Sequence, residues 1–436
     1  MCVRCSVGIC ERGSAKQPLS NSRMRPNLTE FMNPPLCGKH VDSMFAKISD
    51  SVLYIGTDDR SLDLFESQYP VPAGMSYNSY VLLDDKIAVL DTADAREGSQ
   101  WMTNLEEALE GRCPDYLVVH HLEPDHSAMI AAVAEKYPSM TIVCSQIAAR
   151  MLPQFFDGTN FEGRCLVVGE GDGIDLGRHS LKFFMAPMVH WPEVMVSWLS
   201  GENLLFSADA FGTFGTVESC GGLFCSDLGS WKDEAARYYF NICGKYGAQV
   251  GKLLDKVASL DVSAICPLHG PVIRDVPGAA QMYRLWSSYA PETDAVLVAY
   301  ASIHGGTAAL ASKLAELLEA RGKKVILRDL SRCDVSYSVS DAFRCSRVVF
   351  AASSYDAGVF PPMHDFLWHL QIKGWQGRKV AVVQNGSWSP TAGRAICDML
   401  SAMKNIETVA DTMTIRSRMH SCDLPALESL AAAIAE

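Results

Sequence analysis

The sequence predicts two α/β domains in series: a sandwich of β-sheets with outer helices, followed by a doubly wound parallel sheet. The chain has 436 residues, 48% of them hydrophobic, which is enough for two cores. Short β-rich runs alternate with turns in the first half, whereas strands and helices alternate regularly in the second. Between them lies a polar segment at 288–294 whose proline disfavours helix, so we expect the linker there.

Three segments follow from these patterns. Residues 44–288 form the predicted first domain and residues 294–436 the second. Residues 1–43 are rich in Arg, Ser, Asn and Pro, and we expect them to be a disordered extension or the product of a misplaced start codon. Cys2 and Cys5 in this extension have the spacing of half a metal clip, but no second such pair follows.

Composition excludes several classes of protein. The formal net charge is −12, with 38 basic against 50 acidic residues, so a nucleic-acid backbone is not an expected partner. No apolar run approaches the ~20 residues that cross a bilayer, and the N-terminus lacks the apolar stretch of a signal peptide. Fifteen cysteines are spread thinly, which favours reduced thiols over a disulfide framework. We therefore expect a cytoplasmic protein.

The first half contains the β-rich runs of the predicted sandwich. Residues 127–136 have a helical pattern between two of these runs. The predicted strands are 52–56, 80–83, 86–90, 116–119, 141–144, 181–185 and 195–199.

The second half alternates continuous apolar strands with helices, the pattern of a parallel sheet covered on both faces. At about 140 residues it has the size of one doubly wound domain. The predicted strands are 295–300, 324–327, 347–351 and 379–383, and the predicted helices are 308–320, 363–370, one from about Thr391 and one from Leu424.

A cluster of metal-binding side chains follows the strand at 116–119. His121, Glu123, Asp125 and His126 fall within six residues. An extended segment ending in a turn at Pro124 lets alternate residues project from one side, where they can converge on a metal ion. A solvated polar loop is the alternative, but the apolar strand before the cluster and the helix after it place the loop at the rim of a core.

Three further candidates lie where later strands give way to turns: His190, Asp209 and His269. Each alone is a weak signal, since a single loop histidine is more often structural than a ligand. Together with the first cluster they supply four imidazoles and three carboxylates, enough for two metal ions with Asp209 between them.

The spacing His-x-Glu-x-Asp-His, followed by His, Asp and His, resembles the metallo-β-lactamase fold in its flavodiiron branch. The resemblance covers about residues 45–436 and implies an αββα sandwich followed by a flavodoxin-like sheet. It implies that one iron binds His121, Glu123 and His190, that the other binds Asp125, His126 and His269, and that Asp209 bridges them. His121, Glu123, Asp125 and Asp209 are the expected catalytic residues.

Glu123 separates this chain from the zinc hydrolases of the same fold, which carry histidine at that position. An anionic oxygen donor hardens the site, and this favours redox-active iron over zinc. His120 points to the opposite face of the strand and is expected to have a supporting role. Asp91 matches an acid that braces the metal loop in this fold, and we expect it to support ligands rather than bind metal.

The second half carries a predicted anion cradle. The strand at 295–300 runs into Ala301-Ser-Ile-His-Gly-Gly-Thr307 and then a helix, so hydroxyls and backbone N–H groups gather at a helix N-terminus. No lysine follows as in a P-loop, and the glycine spacing is not that of a dinucleotide site. Two more loops, at 352–362 and 384–390, bring aromatic rings and amides to the same edge of the sheet.

These three loops resemble the phosphate loop and the two ring-flanking loops of flavodoxin, which implies bound FMN. His304 and Ala308 depart from the usual pattern of the phosphate loop. A doubly wound domain that has lost its cofactor is the alternative. The expected FMN-binding residues are Ser302, His304, Gly305, Gly306, Thr307, Ser353, Ser354, Tyr355, Asp356, Gly358, Asn385, Gly386, Ser387 and Trp388.

The resemblance implies that FMN passes electrons from an external donor to the diiron centre, which reduces dioxygen to water or nitric oxide to nitrous oxide. It implies a head-to-tail homodimer, or a dimer of such dimers. No paired Cys-x-x-Cys follows the second half, so we expect a separate rubredoxin, a reductase or a deazaflavin as donor. Two alternatives remain: a dinuclear zinc hydrolase with an accessory flavodoxin-like domain, and an electron carrier whose metal site is vestigial.

Overall fold

The structure, a computed structural model, describes residues 46–436. The predicted extension at residues 1–43, with its Cys2 and Cys5, lies outside the described residues. Among residues 46–436, no helix combines the length and apolarity needed to cross a membrane.

Two seven-stranded sheets form the first half. In spatial order, the first sheet consists of Ala46–Lys47, Val52–Tyr54, Tyr80–Leu82, Ala88–Leu90, Tyr116–Val119, Thr141–Ser145 and Cys165–Val168. The second consists of Gly173–Asp175, Ser180–Met185, Met195–Leu199, Leu204–Phe206, Ala264–Cys266, Val272–Ile273 and Phe224–Cys225. Two small ribbons pair Thr57–Asp59 with Met75–Tyr77 and Leu64–Phe65 with Tyr69–Pro70.

The two sheets pack face to face through alternate residues of their strands. Leu82, Leu90 and Val118 from the first sheet join Phe183 and Phe206 from the second in one buried cluster. This follows from the period of two along a strand, which sends successive side chains to opposite faces. Burying this apolar surface is the main force that joins the sheets.

Helices cover the outer faces, which completes the predicted αββα sandwich. Trp101 and Leu105 on one helix, for example, pack in a cluster with Val89 and Leu117 of the first sheet. The helices of the first half are Gly98–Leu109, Pro124–Ser127, Ile130–Lys136, Gln146–Phe155, Leu228–Ile242, Gly247–Val257 and Val276–Ser287, with a 3₁₀ turn at Gly244–Tyr246.

The predicted helix at 127–136 is wrong in its start. The structure has a single turn at Pro124–Ser127, a break at Met129 and a helix at Ile130–Lys136. The Ser127 hydroxyl donates to the Leu122 carbonyl and the Met129 N–H donates to the Thr92 hydroxyl, so side chains take part in bonding that a continuous helix would use.

The second half is a parallel sheet with strand order 2-1-3-4-5. Its five strands, in spatial order, are Val325–Asp329, Thr293–Ala301, Cys345–Tyr355, Arg378–Asn385 and Ile406–Thr408. Met413–Ile415 continues alongside Arg378–Asn385, and Gly358–Val359 folds back on Cys345–Tyr355. The helices are Gly306–Glu319, Val335–Arg344, Pro361–Ile372, Ala392–Ser401 and Leu424–Ala435, with a 3₁₀ turn at Ser421–Asp423.

Helices lie on both faces of this sheet, as the continuous apolar strands predict. Val296 packs with Leu310 and Leu427 on one face, whereas Leu297 belongs to the cluster that contains Phe366 on the other. Because the strands are parallel, the loops that follow their carboxyl ends lie at one edge of the sheet.

The connection between the halves is shorter than predicted. The last helix of the first half ends at Ser287, and the first strand of the second begins at Thr293, so this strand includes the last two residues of the predicted linker. The carbonyl of Arg344 accepts a hydrogen bond from the Glu292 N–H at 2.9 Å, which ties the connection to the second half.

Candidate metal and flavin sites

The candidate metal-binding motif directly follows the carboxyl end of the strand Tyr116–Val119, an internal strand of the first sheet. His121 and Asp125 are buried, Glu123 is partly buried, and the single turn at Pro124–Ser127 bends the chain between them. His121, Glu123 and Asp125 are thus held on short segments fixed by a strand before and a helix after.

One group of candidate metal ligands lies around Glu123. Its Oε2 lies 3.2 Å from Nε2 of His121 and 3.0 Å from Nε2 of His190. His190 comes from the turn between the strands Ser180–Met185 and Met195–Leu199. Together with Asp209, these residues offer four donor atoms that all lie within 4.8 Å of one another.

A second group forms around Asp125. Its Oδ2 lies 3.3 Å from Nε2 of His126 and 3.3 Å from Nε2 of His269, and the two imidazole nitrogens are 3.0 Å apart. All three residues are buried.

Asp209 joins the two groups through its two oxygens. Oδ2 lies 3.3 Å from Nε2 of His121 and 3.0 Å from Nε2 of His190. Oδ1 lies 3.2 Å from Nε2 of His126 and 3.7 Å from Nε2 of His269. A carboxylate with one oxygen toward each group has the geometry of a bridge between two metal ions.

Asp91 and His120 form a support beside the motif. Asp91 accepts hydrogen bonds at Oδ1 from the N–H groups of His120 at 2.7 Å and His121 at 3.4 Å. The His120 ring lies between Asp91 Oδ2 and the Ser197 hydroxyl, at 2.6 and 2.7 Å. The ring of His120 therefore faces away from both groups, while Asp91 holds the backbone of the motif.

Two supporting residues escape the sequence analysis. Oε1 of Glu193 lies 2.8 Å from Nδ1 of His121 and accepts a hydrogen bond from the Leu122 N–H at 3.0 Å. The carbonyl of Ser76 lies 2.6 Å from Nδ1 of His269. Both contacts turn the opposite nitrogen, Nε2, toward the ligand groups. No spacing signal marks either residue, because each meets its histidine only through the folded sheets.

The electrostatics of the cluster are those of closely paired acids and imidazoles. Burial opposes charge, yet hydrogen bonds from His121 and His190 lower the pKa of Glu123 to about 2. Burial likewise opposes protonation of His190, but its bonds to Asp209 and Glu123 raise its pKa to about 9. Against the effect of burial, the charge of His121 and the surrounding hydrogen bonds hold the pKa of Asp209 well below its usual range.

Several buried polar atoms of the cluster have no hydrogen-bond partner among the described residues. They are both carboxylate oxygens of Asp125, Oδ1 of Asp209 and Nδ1 of His126. Leaving buried acceptors unpaired is costly, and metal coordination would satisfy the carboxylate oxygens. The donor set of imidazole nitrogens and carboxylate oxygens fits a pair of iron ions.

The three predicted loops of the second half meet around one cavity of about 710 Å³ at the carboxyl edge of the parallel sheet. Eleven of the predicted FMN-binding residues line it, whereas Gly305, Thr307 and Gly358 do not. Thr307 is buried behind the loops, where its hydroxyl lies 3.1 Å from that of Ser353 and accepts from the Asn385 side chain at 3.2 Å. Ser417, which the sequence analysis did not identify, also lines the cavity.

This cavity fits a phosphorylated aromatic ligand. The helix Gly306–Glu319 begins at its wall, so its free N–H groups and its positive end are suited to bind a phosphate. No lysine or arginine is among the residues that line it. Tyr355 and Trp388 are 46% and 87% exposed, which leaves their rings free to stack on a flat ligand.

A fit to a family model supports the reading of the first half. Residues 75–270 match the model described as "ODP family beta lactamase". This range contains all seven predicted metal ligands.

Relatives and solved structures match most of the chain. The anaerobic nitric oxide reductase flavorubredoxin of Vibrio vulnificus is 28% identical over 355 residues, which cover 79% of this chain and 71% of the relative. The structure of rubredoxin oxygen:oxidoreductase from Desulfovibrio gigas superposes with a TM-score of 0.84 and 25% identity, covering 90% of this chain and 98% of that one. The flavodiiron protein of Giardia intestinalis shares the fold, with a TM-score of 0.83, 21% identity and coverage of 91% and 97%.

The alternative of a zinc hydrolase is not favoured, because the names of these relatives include a nitric oxide reductase and an oxygen oxidoreductase. The matches extend through both halves, and they confirm the resemblance that the motif spacing predicts. By sequence and by fold, the chain resembles the flavodiiron proteins.

Proposed function

We propose that this chain is an oxidoreductase that reduces dioxygen to water, nitric oxide to nitrous oxide, or both, with electrons that reach a diiron centre through FMN. The position of Asp209 carries the proposal, because one carboxylate reaches both ligand groups. The names of a nitric oxide reductase and an oxygen oxidoreductase among the matches support the reaction class.

We assign one iron to His121, Glu123 and His190 and the other to Asp125, His126 and His269, with Asp209 as the bridge. Glu123 is the residue that favours iron over zinc, since a carboxylate oxygen is a harder ligand than imidazole. The iron pair would supply electrons and open coordination positions to one small gas molecule.

The residues around the ligands orient them. Glu193 and the Ser76 carbonyl fix the rings of His121 and His269, so that each presents Nε2. The ring of Trp191 packs edge-on against His121 with centroids 5.2 Å apart, and Phe65 packs edge-on against His269 at 5.4 Å. These apolar walls keep bulk water away from the ligands and hold their geometry.

We place FMN in the cavity of the second half, with its phosphate at the start of the helix Gly306–Glu319 and its ring between Tyr355 and Trp388. Of the fourteen predicted residues, the eleven that line the cavity would contact the flavin, and Gly305, Thr307 and Gly358 would hold the loops that carry them. The flavin would exchange electrons with the donor and with the metal centre. We also infer the domain limits 44–288 and 294–436, each containing one of the two sites.

We infer that electrons pass between subunits of a head-to-tail homodimer. In support, the flavin cavity and the residues around His190 share no lining residue within the described chain. We infer further that a rubredoxin, a rubredoxin-type reductase or a deazaflavin supplies the electrons, and the name of the D. gigas oxidoreductase supports the first of these.

The test is anaerobic reconstitution with ferrous iron and FMN, followed by reduction and mixing with either gas. We expect two irons and one FMN per chain, and rapid oxidation of the reduced protein by dioxygen, nitric oxide or both. A Glu123→His variant is the matched control, and it should favour zinc and lose turnover. Failure of the iron-loaded, reduced protein to react with either gas would overturn the proposal.

A further inference from the structure

A second cavity, of about 410 Å³, lies beside the metal ligands where the two halves of the chain meet. His190 and Trp191 line it from the first half, and Lys373 lines it from the second. Lys373 follows directly after the helix Pro361–Ile372. A side chain of the flavodoxin-like half thus shares a cavity with a proposed iron ligand.

Lys373 is a buried lysine held by two oxygen atoms. It is 8% exposed, and its Nζ donates to the Asn241 carbonyl at 2.6 Å and to the Tyr69 hydroxyl at 3.1 Å. Asn241 lies in the last turn of the helix Leu228–Ile242, where carbonyls lack partners within the helix. An ammonium group has three donors, so one N–H remains for a molecule in the cavity.

No carboxylate compensates the charge of this lysine closely. Among residues 46–436, no acidic oxygen lies within ion-pair distance of Nζ. Glu66, on the hairpin at the cavity wall, and Cys243 interact electrostatically with Lys373 from farther away. The other titratable residues that line the cavity include His190, His369 and Lys245. Burial lowers the pKa of Lys373 to about 8, against the opposing effect of Glu66.

The proposed reactions consume protons. Reduction of dioxygen to two waters takes four electrons and four protons, and reduction of two nitric oxide molecules to nitrous oxide and water takes two of each. The imidazoles of His121 and His269 point their second nitrogens at Glu193 and the Ser76 carbonyl, so neither is free to supply protons. A protonated side chain that lines the cavity can meet this demand, and Lys373 is such a group.

We propose that Lys373 supplies protons to the reduction of the gas in this cavity. Its free N–H bond breaks, the proton forms an O–H bond on the oxygen that leaves as water, and the neutral amine takes a proton from solvent. The electrons are those that the donor delivers through FMN. Tyr69 and the Asn241 carbonyl position the amine. This inference rests on the proposed function, whose reaction consumes the protons.

The first test measures the ionisation of Lys373 in protein that is not turning over. Competitive acetylation of the intact holoprotein across pH 6–11, followed by peptide mass spectrometry, gives the ionisation of each lysine. We expect Lys373 to become reactive around pH 8, whereas an ordinary lysine does so near about 10.4. Reactivity of Lys373 only at the ordinary pH would overturn the inference.

The second test measures reoxidation of the reduced holoprotein in single turnover. Lys373→Met should slow it by about 100-fold, the range for loss of a general acid. Lys373→Arg should remain slow, because arginine keeps the charge and the hydrogen bonds but does not release its proton. Lys373→Ala should regain about tenfold on addition of methylammonium. Lys245→Met, a change at the same cavity, should stay within about twofold.

Iron and FMN contents of each variant are measured alongside, so that loss of a cofactor is not mistaken for loss of a proton donor. If Lys373→Met reacts like the wild type, or Lys373→Arg restores the rate, the lysine serves only as a helix cap and the inference is wrong. If the wild-type holoprotein itself reacts with neither gas, it is the proposed function that fails, and the acetylation result stands separately.

Discussion

Asp209 depends on a strained turn for its position between the ligand groups. Its neighbour Ala208 has φ +50°, and Phe211 has φ +68°, a region that residues with a side chain rarely adopt. The Ser207 hydroxyl donates to the Ala210 carbonyl at 2.6 Å and closes the turn. Strain of this kind persists only where the surroundings hold it, and here it aims one oxygen at each group.

Replacing Asp209 tests the bridge. Asp209→Asn exchanges one oxygen for an amide that cannot ligate in the same way, so we expect iron content to fall from about two per chain to below about one. Asp94→Asn is the matched control, because Asp94 is near Asp125 but its carboxylate accepts from the Arg96 N–H. Iron analysis after anaerobic loading decides, and equal loading of both variants would contradict the assignment.

The pH dependence of metal binding tests the paired charges. With its pKa raised to about 9 from 6.5, His190 is protonated at pH 7 in the metal-free protein, and a metal ion must displace that proton. Affinity for a divalent ion should therefore rise with pH up to about 9, by at most about tenfold per unit for each proton released. Calorimetry in two buffers of different ionisation enthalpy measures the protons released; binding without release would refute this expectation.

The raised pKa of His190 also makes the stability of the metal-free protein fall as the pH rises. A histidine whose pKa is higher in the folded state contributes stability that is fully present below pH 6.5 and is lost as the pH rises through about 9. Loading with metal removes this dependence, because the metal takes the place of the proton.

The residues of the two candidate ligand groups could be proposed from the sequence because they occupy a dense motif and three strand-end turns. Glu193 could not: it lies 72 residues from His121 and meets it only when the strand Met195–Leu199 has paired within the second sheet. Single residues at long separation give no local pattern, so their roles appear only in the fold.

Turns at strand ends are the elements that build both sites. In the parallel sheet, the register of Thr293–Ala301, Cys345–Tyr355 and Arg378–Asn385 brings three loops to one edge. These elements were predictable because their apolar runs are continuous.

The helix Val335–Arg344 was not predicted, because its serines and β-branched residues have low helix propensity. The Asp334 cap and the buried contacts of Val339 and Phe343 stabilise it instead.

The phosphate loop requires glycine at position 306. A Cβ atom there would lie 2.1 Å from the Ser417 carbonyl oxygen, which is backbone and cannot move away cheaply. We expect Gly306→Ala to weaken FMN binding by at least about tenfold, since the loop must shift away from the helix N-terminus. Flavin fluorescence titration measures this.

Gly358→Ala is the matched control for the loop. It lies in the second loop, and its added Cβ would be 3.6 Å from the Tyr355 carbonyl oxygen, an ordinary contact. We expect its affinity for FMN to stay within about threefold of the wild type. Equal effects of the two alanines would show that the close approach at Gly306 does not matter.

At the scale of the whole molecule, Arg237 connects the two halves. Its guanidinium lies between the rings of Phe214 and Tyr337, 4.2 and 4.4 Å from their centroids. It donates to the Pro70 carbonyl in the first half and to the Ser336 hydroxyl in the second. Nearby, the rings of Phe240 and Phe343 stack across the same boundary at 4.7 Å. The sequence predicts the two halves but not this contact, which joins positions 99 residues apart.

Removing this arginine should weaken the contact between the two halves and destabilise the protein. Arg237→Met removes the hydrogen bonds to the Pro70 carbonyl and the buried Ser336 hydroxyl as well as the contacts of the guanidinium with two aromatic rings, and we expect a loss of about 3 kcal/mol in the free energy of unfolding. Arg60→Met, which removes an ion pair with Glu218 that is mostly exposed on both sides, should change it by no more than about 0.5 kcal/mol. Urea denaturation of both variants provides the comparison, and a small effect of Arg237→Met would count against this contact as the joint.

The proposed diiron centre requires two irons to share one carboxylate. Anomalous diffraction at the iron absorption edge, from crystals of the anaerobically reconstituted protein, locates them directly. We predict two iron peaks about 3.5 Å apart, one beside Glu123 and one beside Asp125, with Asp209 between them. A single peak, or peaks that follow the zinc edge instead, would contradict it.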